Sequence, residues 1–316
     1  MRILIAGAGA LGSVFGGFLR QAGLDVTLLG RATHLEAIAR HGLTIDGIWG
    51  RHQVAGFGIA TDPAALPGVF DAALLPVKSY DTAAMAAAIA PRLAPDGIAI
   101  ALQNGLGNVE ALEAVLGAER CLGARVIFGA TLPAPGQVRV TVFADPTAIG
   151  ALVPGAHPTR DAAARQWAAR IDAAGVPTVS TDHLAALLWA KVFYNAALNP
   201  LGALLQVHYG ALPERADSRA TMDEVIDEAF AVAAAEGVAL PWPTAAAYRD
   251  EFYGRLVPAT YDHRSSMLQD LERGRRTEID AINGAVWHRG AARGITTPVN
   301  RTLSQLIRVV EARGPT

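Results

Sequence analysis

The stretch RILIAGAGALGSVFGGFLRQAGLDVTLLGR, residues 2–31, decides the fold of the first half of the chain. Residues 2–6 form a short apolar run suited to a buried strand. Gly7-Ala8-Gly9-Ala10-Leu11-Gly12 follows, a G-x-G-x-x-G. Leu11, Val14, Phe15, Phe18 and Leu19 then recur at helical spacing, and Gly23 closes that helix. DVTLL, 25–29, is a second strand. The glycine pattern alone says little. Directly after a strand, at the opening of a helix and inside a βαβ unit, it is the fingerprint of a dinucleotide site. The first glycine permits the tight turn and the second lets the backbone approach a pyrophosphate. The third lets helix and strand pack closely, and the helix N-terminus supplies the anion site. A glycine-rich turn with no ligand is the bland alternative, and the context outweighs it. Gly7, Ala8, Gly9, Ala10, Leu11 and Gly12 are therefore candidate cofactor contacts.

The end of the second strand selects the dinucleotide. An NAD site places an acid there for the ribose 2′-hydroxyl. Here the strand ends in Gly30-Arg31, and an arginine suits a 2′-phosphate, so NADPH is favoured. Thr33-His34-Leu35-Glu36 reads as a capping box, which makes Glu36 a cap rather than a ribose ligand. FDAALLPV (70–77) and GIAIALQNG (97–105) are further strands, each followed by a helical pattern, at 80–92 and 107–116. Ligands of open α/β sheets lie off the carboxyl ends of the strands, so Lys78 and Asn104 join the glycine loop on one edge. The alternatives are a solvated loop for Lys78 and Asn-Gly turn chemistry for Asn104. From 120 to 150 the chain is β-rich, with a hairpin expected at Pro133, Pro135 and Gly136.

At 316 residues the chain has the length of about two domains. Hydrophobic residues make up 51% and charged ones 18%, enough to fill real cores. A net charge of −2 gives no electrostatic case for nucleic acid. The basic run ERGRRTE (272–278) is bracketed by acids and reads as a solvated helix junction. The lone cysteine, Cys121, lies in a strand-like stretch as a buried thiol and permits no internal disulfide, which suits a reducing cytoplasm. No membrane span, secretory signal or metal cluster is expected. After VPTVSTD (176–182) the pattern is helical to the end, with helices near 183–198, 215–236, 243–253, 264–273, 278–292 and 298–311. The expected architecture is a Rossmann-type dinucleotide-binding α/β domain (1–180), then an all-α domain for substrate and catalysis (181–316), with the active site in the cleft between.

Lys+Arg number 27, yet only Lys78 and Lys191 are lysine. Arginine stays charged at any working pH, whereas lysine can release a proton when its site lowers its pKa. In LLWAKVFYNAALNP (187–200), Lys191 and Asn195 are spaced i, i+4 and share a helical face, and Asn199 extends it. Pro200 is expected to end or kink the helix and leave Asn199 at a frayed end. The apolar flanks Leu187, Leu188, Trp189, Val192 and Phe193 imply burial, which lets Lys191 act as a general acid.

The segments GAGALG, LGR, VKSYDT, LQNGLGN, WAKVFYNAALNPL and RSSMLQDLERGRRTEIDAINGAV resemble the ketopantoate reductase (2-dehydropantoate 2-reductase) family over nearly the whole chain. The last two are the specific ones. The resemblance implies NADPH-dependent reduction of 2-dehydropantoate to pantoate, a step of pantothenate biosynthesis. It implies Lys191 as proton donor, Asn195 and Asn199 as substrate-binding carboxamides, and Ser266 as the holder of the substrate carboxylate. Lys78 and Asn104 become the pair near the nicotinamide ribose, with Asn104 also close to substrate. Glu278 becomes a carboxylate contacting cofactor. Taken alone, Ser266 reads as a helix cap and Glu278 as first-turn chemistry after Thr277. By spacing, Tyr209 and His263 stand where family members carry substrate-side asparagines, which leaves the identity of the oxo acid open. A paralogue acting on another 2-oxo acid, a β-hydroxyacid dehydrogenase-like enzyme and a non-enzymatic NADPH-binding protein are the alternatives. Oligomeric state, a homodimer included, is not legible.

Overall fold

Along β1 (Arg2–Ala6) successive side chains enter opposite faces of a sheet, and both faces are buried. Ile3 and Ile5 join one apolar cluster, Leu4 and Ala6 the other. Ala72 and Leu74 are divided in the same way from Ala73 and Leu75, and Ile98 and Ile100 from Ala99 and Ala101. Covering on both faces is why these strands read as unbroken apolar runs.

The computed structural model describes residues 1–313. The chain divides into two compact units. The first comprises Met1–Asn104 and Asn108–Leu184, the second Gly105–Gly107 and the residues from Ala185 onward. After β1 the first unit runs α1 (Ala10–Gln21), β2 (Asp25–Leu29), α2 (Ala32–His41), β3 (Leu43–Gly47), β4 (His52–Val54), β5 (Gly58–Ala60), β6 (Phe70–Leu75), α3 (Thr82–Ile89), β7 (Leu93–Ala101), α4 (Asn108–Leu116), β8 (Cys121–Thr131), β9 (Gln137–Gly150), α5 (Pro158–Ala173) and β10 (Thr178–Ser180).

One sheet holds all ten strands, in the order β4-β3-β9-β8-β7-β6-β1-β2-β5, with β10 beside β9. From β5 to β8 every pairing is parallel, the doubly wound arrangement. β8 and β9 form the expected antiparallel hairpin around Gly136, whose φ is +75°. The strands β3 to β5 and β10 and the helix α5 are additions to the elements expected from the sequence. Two strands end earlier than expected. β6 stops at Leu75 because Pro76 has no N–H for the ladder, and β7 stops at Ala101, after which the Leu102 N–H donates to the Leu75 carbonyl (3.1 Å). Cys121 opens β8 fully buried, and burial pushes its thiol pKa up to about 12, which keeps it protonated and unreactive.

The second unit is helical: α6 (Leu184–Leu205), α7 (Ala216–Ala235), α8 (Ala245–Glu251), a π-helical turn over Phe252–Leu256, α9 (Val257–Ala259), α10 (Ser266–Glu272), α11 (Asn283–Ala292) and α12 (Pro298–Arg313). An α/β unit followed by an all-α unit is the expected fold class. The basic run at 272–278 pairs with acids just outside it: Arg275 with Asp270 (2.8 Å) and Arg276 with Asp280 (2.9 Å). No helix among the described residues is long and apolar enough to cross a membrane.

One expectation about α6 fails. The helix continues through Pro200 for five more residues, so Asn199 is not at a frayed end but inside a helix and 3% exposed. An interior proline removes the N–H that would bond the carbonyl four residues back. Here that carbonyl, on Ala196, accepts from the side-chain Nδ2 of Asn283 instead (3.0 Å). With the orphaned acceptor satisfied, the helix tolerates the proline.

Candidate active site

The strand order reverses at β1, which pairs with β2 on one side and β6 on the other. The loops after β1 and β6 touch there. A Cβ on Gly7 (φ +123°) would lie 2.9 Å from Val77 Cγ1 and 3.0 Å from its nitrogen. A Cβ on Gly12 would lie 2.2 Å from the Gly7 carbonyl oxygen and 3.0 Å from Pro76 Cγ. Gly9 is different: a Cβ there meets nothing within 4 Å. The first and third glycines thus close the turn, and the second leaves open space. The Ala8 N–H is used by Leu29 O (2.8 Å) and the Gly9 N–H by Gly7 O (2.7 Å). The first helical bond is Ser13 N–H to Gly9 O (2.8 Å), and no side chain caps α1. The amides of Ala10, Leu11 and Gly12 therefore have no acceptor within the helix. An open face with unclaimed amides at a helix N-terminus fits a pyrophosphate. Gly12→Ala is expected to cost about 1–3 kcal/mol through overpacking against backbone and to abolish the rise in Tm that NADPH gives the parent chain. Thermal melts with and without cofactor check it.

Arg31 is exposed and stands at the N-terminus of α2, where no side chain caps the helix. The loop carrying it lies against the glycine turn: a Cβ on Gly30 would be 3.0 Å from Ala8 Cβ. The expected capping box is absent. Thr33 lies inside α2, and Glu36 pairs with Arg40 (3.1 Å) one turn on, so Glu36 is not a cap. The acid of β2, Asp25, is at the opposite end of the strand, 3.5 Å from Arg2.

Lys78 is half-buried three residues past β6 and begins a short turn in which its carbonyl accepts from Asp81 N–H (2.9 Å). Asn104 follows β7. Its loop is held by a buried relay: Gln103 Nε2 donates to Thr82 Oγ1 (2.9 Å), Thr82 Oγ1 to Asn108 Oδ1 (2.9 Å), and Asn108 Nδ2 to the Asn104 carbonyl (3.0 Å). These bonds join the starts of α3 and α4, so the backbone at Asn104 is fixed by more than an Asn-Gly turn.

In the second unit, α6 is buried around most of its girth. Trp189, Val192, Phe193 and Ala196 are 2% exposed or less. The half-exposed positions Leu187, Ala190, Lys191 and Tyr194 recur at helical spacing and form one stripe. Lys191 stands on that stripe, and Asn195 lies one turn further on at its buried edge. Asn199 is pinned: its Oδ1 accepts from the Tyr209 hydroxyl and its backbone carbonyl from Ser265 Oγ (3.3 Å). Its amide NH2 is thereby directed away from Tyr209.

Ser266 is not the cap of α10. Ser265 is, accepting from Leu268 N–H (3.0 Å) while fully buried, and Ser266 is exposed as the first helical residue. Glu278 is 7% exposed and does not cap the turn it begins; Thr277 Oγ1 does that, accepting from Ile279 N–H (3.2 Å). The capping reading of Ser266 therefore fails, while Glu278 does stand at the start of a helical turn.

The sequence reading missed the aromatic frame around these groups. The Tyr194 and Tyr209 rings meet edge-on at 5.7 Å, and Tyr209 lies 5.1 Å from the His263 ring. The Tyr194 hydroxyl is 2.6 Å from Thr260 Oγ1, and burial pushes its pKa up to about 12. Partial desolvation of its ring lowers the His263 pKa, although the residue as a whole is exposed. Tyr194 was visible as the neighbour of Asn195, but nothing local in the sequence couples it to Thr260.

A glycine-turn nucleotide fold and a helical unit carrying a lysine among carboxamides define a dinucleotide-binding oxidoreductase. Residues 3–154 match the family described as Ketopantoate reductase PanE/ApbA, and residues 183–311 match Ketopantoate reductase PanE/ApbA C terminal. The 2-dehydropantoate 2-reductase of Aquifex aeolicus (strain VF5) is 34% identical over 311 residues, 98% of this chain and 97% of its own. A PanE/ApbA family ketopantoate reductase from Ralstonia eutropha JMP134 matches with a TM-score of 0.87 at 38% identity, over 99% of both chains. D-mandelate dehydrogenase with NADH and anilino(oxo)acetate matches with a TM-score of 0.87 at 28% identity, again over 99% of both chains. The chain belongs to the ketopantoate reductase PanE/ApbA family.

Proposed function

We propose that the chain is a cytoplasmic NADPH-dependent reductase of a small 2-oxo acid, with 2-dehydropantoate as the substrate and pantoate as the product. The carrying observation is Lys191 on the half-exposed stripe of an otherwise buried helix, within the region that matches the family.

On this reading residues 1–180 bind the dinucleotide and 181–316 hold the substrate. Gly7 to Gly12 receive the pyrophosphate, Arg31 the 2′-phosphate, and Lys78, Asn104 and Glu278 the nicotinamide end. When bound, the reduced dinucleotide supplies a hydride for the ketone carbon. Lys191 offsets the negative charge that grows on the ketone oxygen and delivers its proton there. Asn195, Asn199 and Ser266 hold the acid by its polar groups and fix the ketone against Lys191, which is where orientation lowers the barrier. Asn199 acts through its NH2, because Tyr209 occupies its oxygen.

A different 2-oxo acid is the second reading. The pairing of Tyr209 with His263 supports it, since two rings there form a less polar frame than two carboxamides. Purified protein with NADPH and a panel of 2-oxo acids, 2-dehydropantoate included, is the test. Loss of cofactor absorbance fastest with 2-dehydropantoate is the expected result. A higher kcat/KM on another oxo acid moves the assignment to that acid, and no turnover on any of them defeats the reading.

A further inference from the structure

Pro200 creates a vacancy in the hydrogen-bond ladder of α6 at a buried place. Ala196, Ala197 and Leu198 are 0% exposed and Asn199 3%, so the orphaned Ala196 carbonyl lies away from the surface. Asn283, also 0% exposed, opens α11 and fills the vacancy. Its two amide hydrogens are both committed, one to Ala196 O (3.0 Å) and one to Asn300 Oδ1 (3.0 Å).

The direction of these bonds is fixed from the far end. Glu228 on α7 accepts from the backbone N–H groups of Val299 (2.8 Å) and Asn300 (2.9 Å). Asn300 Nδ2 donates to Glu228 Oε2 (2.7 Å) and to Val225 O (3.2 Å). Asn300 therefore turns Oδ1 toward Asn283, and Asn283 must turn its NH2 toward α6. The Asn283 Oδ1 is left buried without a protein partner, the cost of using both hydrogens. Four helices are thus linked by one polar chain, fully buried at Asn283 and Asn300, that ends at the helix carrying Lys191, Asn195 and Asn199. Asn283 also lies five residues after Glu278, on the same short segment.

We infer that Asn283 is a positioning residue for the reductase site: by replacing the N–H that Pro200 lacks, it keeps α6 helical across residues 196–200. Lys191 and Asn195 lie before this turn and Asn199 within it, so their alignment depends on this one donor. The inference rests on the reading of Lys191, Asn195 and Asn199 as the site.

The test is a double-mutant cycle with Asn283→Leu and Pro200→Ala. Leucine removes both donors at similar volume, and alanine at 200 restores the backbone N–H that Ala196 O lost. N283L is expected to lower kcat on the order of tenfold or more and to raise the substrate KM, with NADPH affinity unchanged. P200A/N283L is expected to regain most of that loss. A merely structural asparagine would lower Tm and leave kcat and KM of the folded enzyme alone, and that result overturns the proposal. A double variant no better than N283L overturns it too. Should N283L not fold, the double variant is expected to fold and turn over, and its failure counts against the linkage. Turnover by the parent chain tests the site reading separately, because rescue of the N283L loss in Tm by P200A can be read in an inactive protein.

Discussion

Lys191→Ala lowers kcat on the order of 10²-fold or more, the size of a lost general acid, and leaves NADPH affinity as in the parent. The split is expected because the glycine turn and Arg31 belong to the first unit and Lys191 to the second. Lys191→Arg is the sharper variant. Arginine keeps the positive charge but holds its proton at any working pH. If Lys191 only offsets charge, the arginine enzyme keeps much of its turnover. If it delivers the proton, the arginine enzyme falls close to the alanine one. Lys191 is half-exposed rather than buried in the core, and a far-UV spectrum and melt of K191R check that it folds like the parent. Single-turnover rates with saturating NADPH are the measurement, and parent-like turnover by K191A ends the assignment.

Arg31→Ala is expected to weaken NADPH binding roughly ten- to a hundredfold, the effect of losing a hydrogen bond to a charged group, and to leave NADH binding unchanged. The reasons are local. Arg31 stands where the free amides of α2 begin, no acid ends β2, and Glu36 is held by Arg40. A 2′-phosphate would meet the guanidinium and the helix N-terminus together, whereas a 2′-hydroxyl would find no carboxylate at the strand end to accept its hydrogen bond. Titrating both nucleotides against parent and variant decides it. Equal losses for both would make Arg31 a general structural contact. The comparison matters because a relative of this chain, D-mandelate dehydrogenase, has been solved with NADH.

Much of the first unit is legible because its signals are local. A strand, a glycine turn and a helix are each specified within a few residues, and close packing of Gly7 on Val77 is a direct reason for the glycine. The short strands β3 to β5 are not legible, since three to five residues carry too little pattern to separate a strand from a loop. Helix α5 carries a usable signal: Ala164, Trp167, Ala168 and Ile171 are its buried stripe at i, i+3, i+4 and i+7. The arginine, aspartate and alanine that fill the rest of the helix mask it.

The sequence by itself determined the nucleotide fold, the helical second half and the rarity of lysine, kept at Lys78 and Lys191 alone. A glycine spacing, a hydrophobic period and a rare residue type are properties of the chain order. Only the tertiary structure decided the course of α6. The rule that proline ends a helix is a statement about an unpaired carbonyl, and whether that carbonyl stays unpaired depends on Asn283, 87 positions from Ala196. The surroundings of Asn199 were likewise decided by packing: Tyr209 takes its side-chain oxygen and Ser265 donates to its backbone carbonyl. Local spacing cannot report a hydrogen-bond partner brought in by packing, and in the second unit such partners set the course of α6 and the surroundings of Asn199.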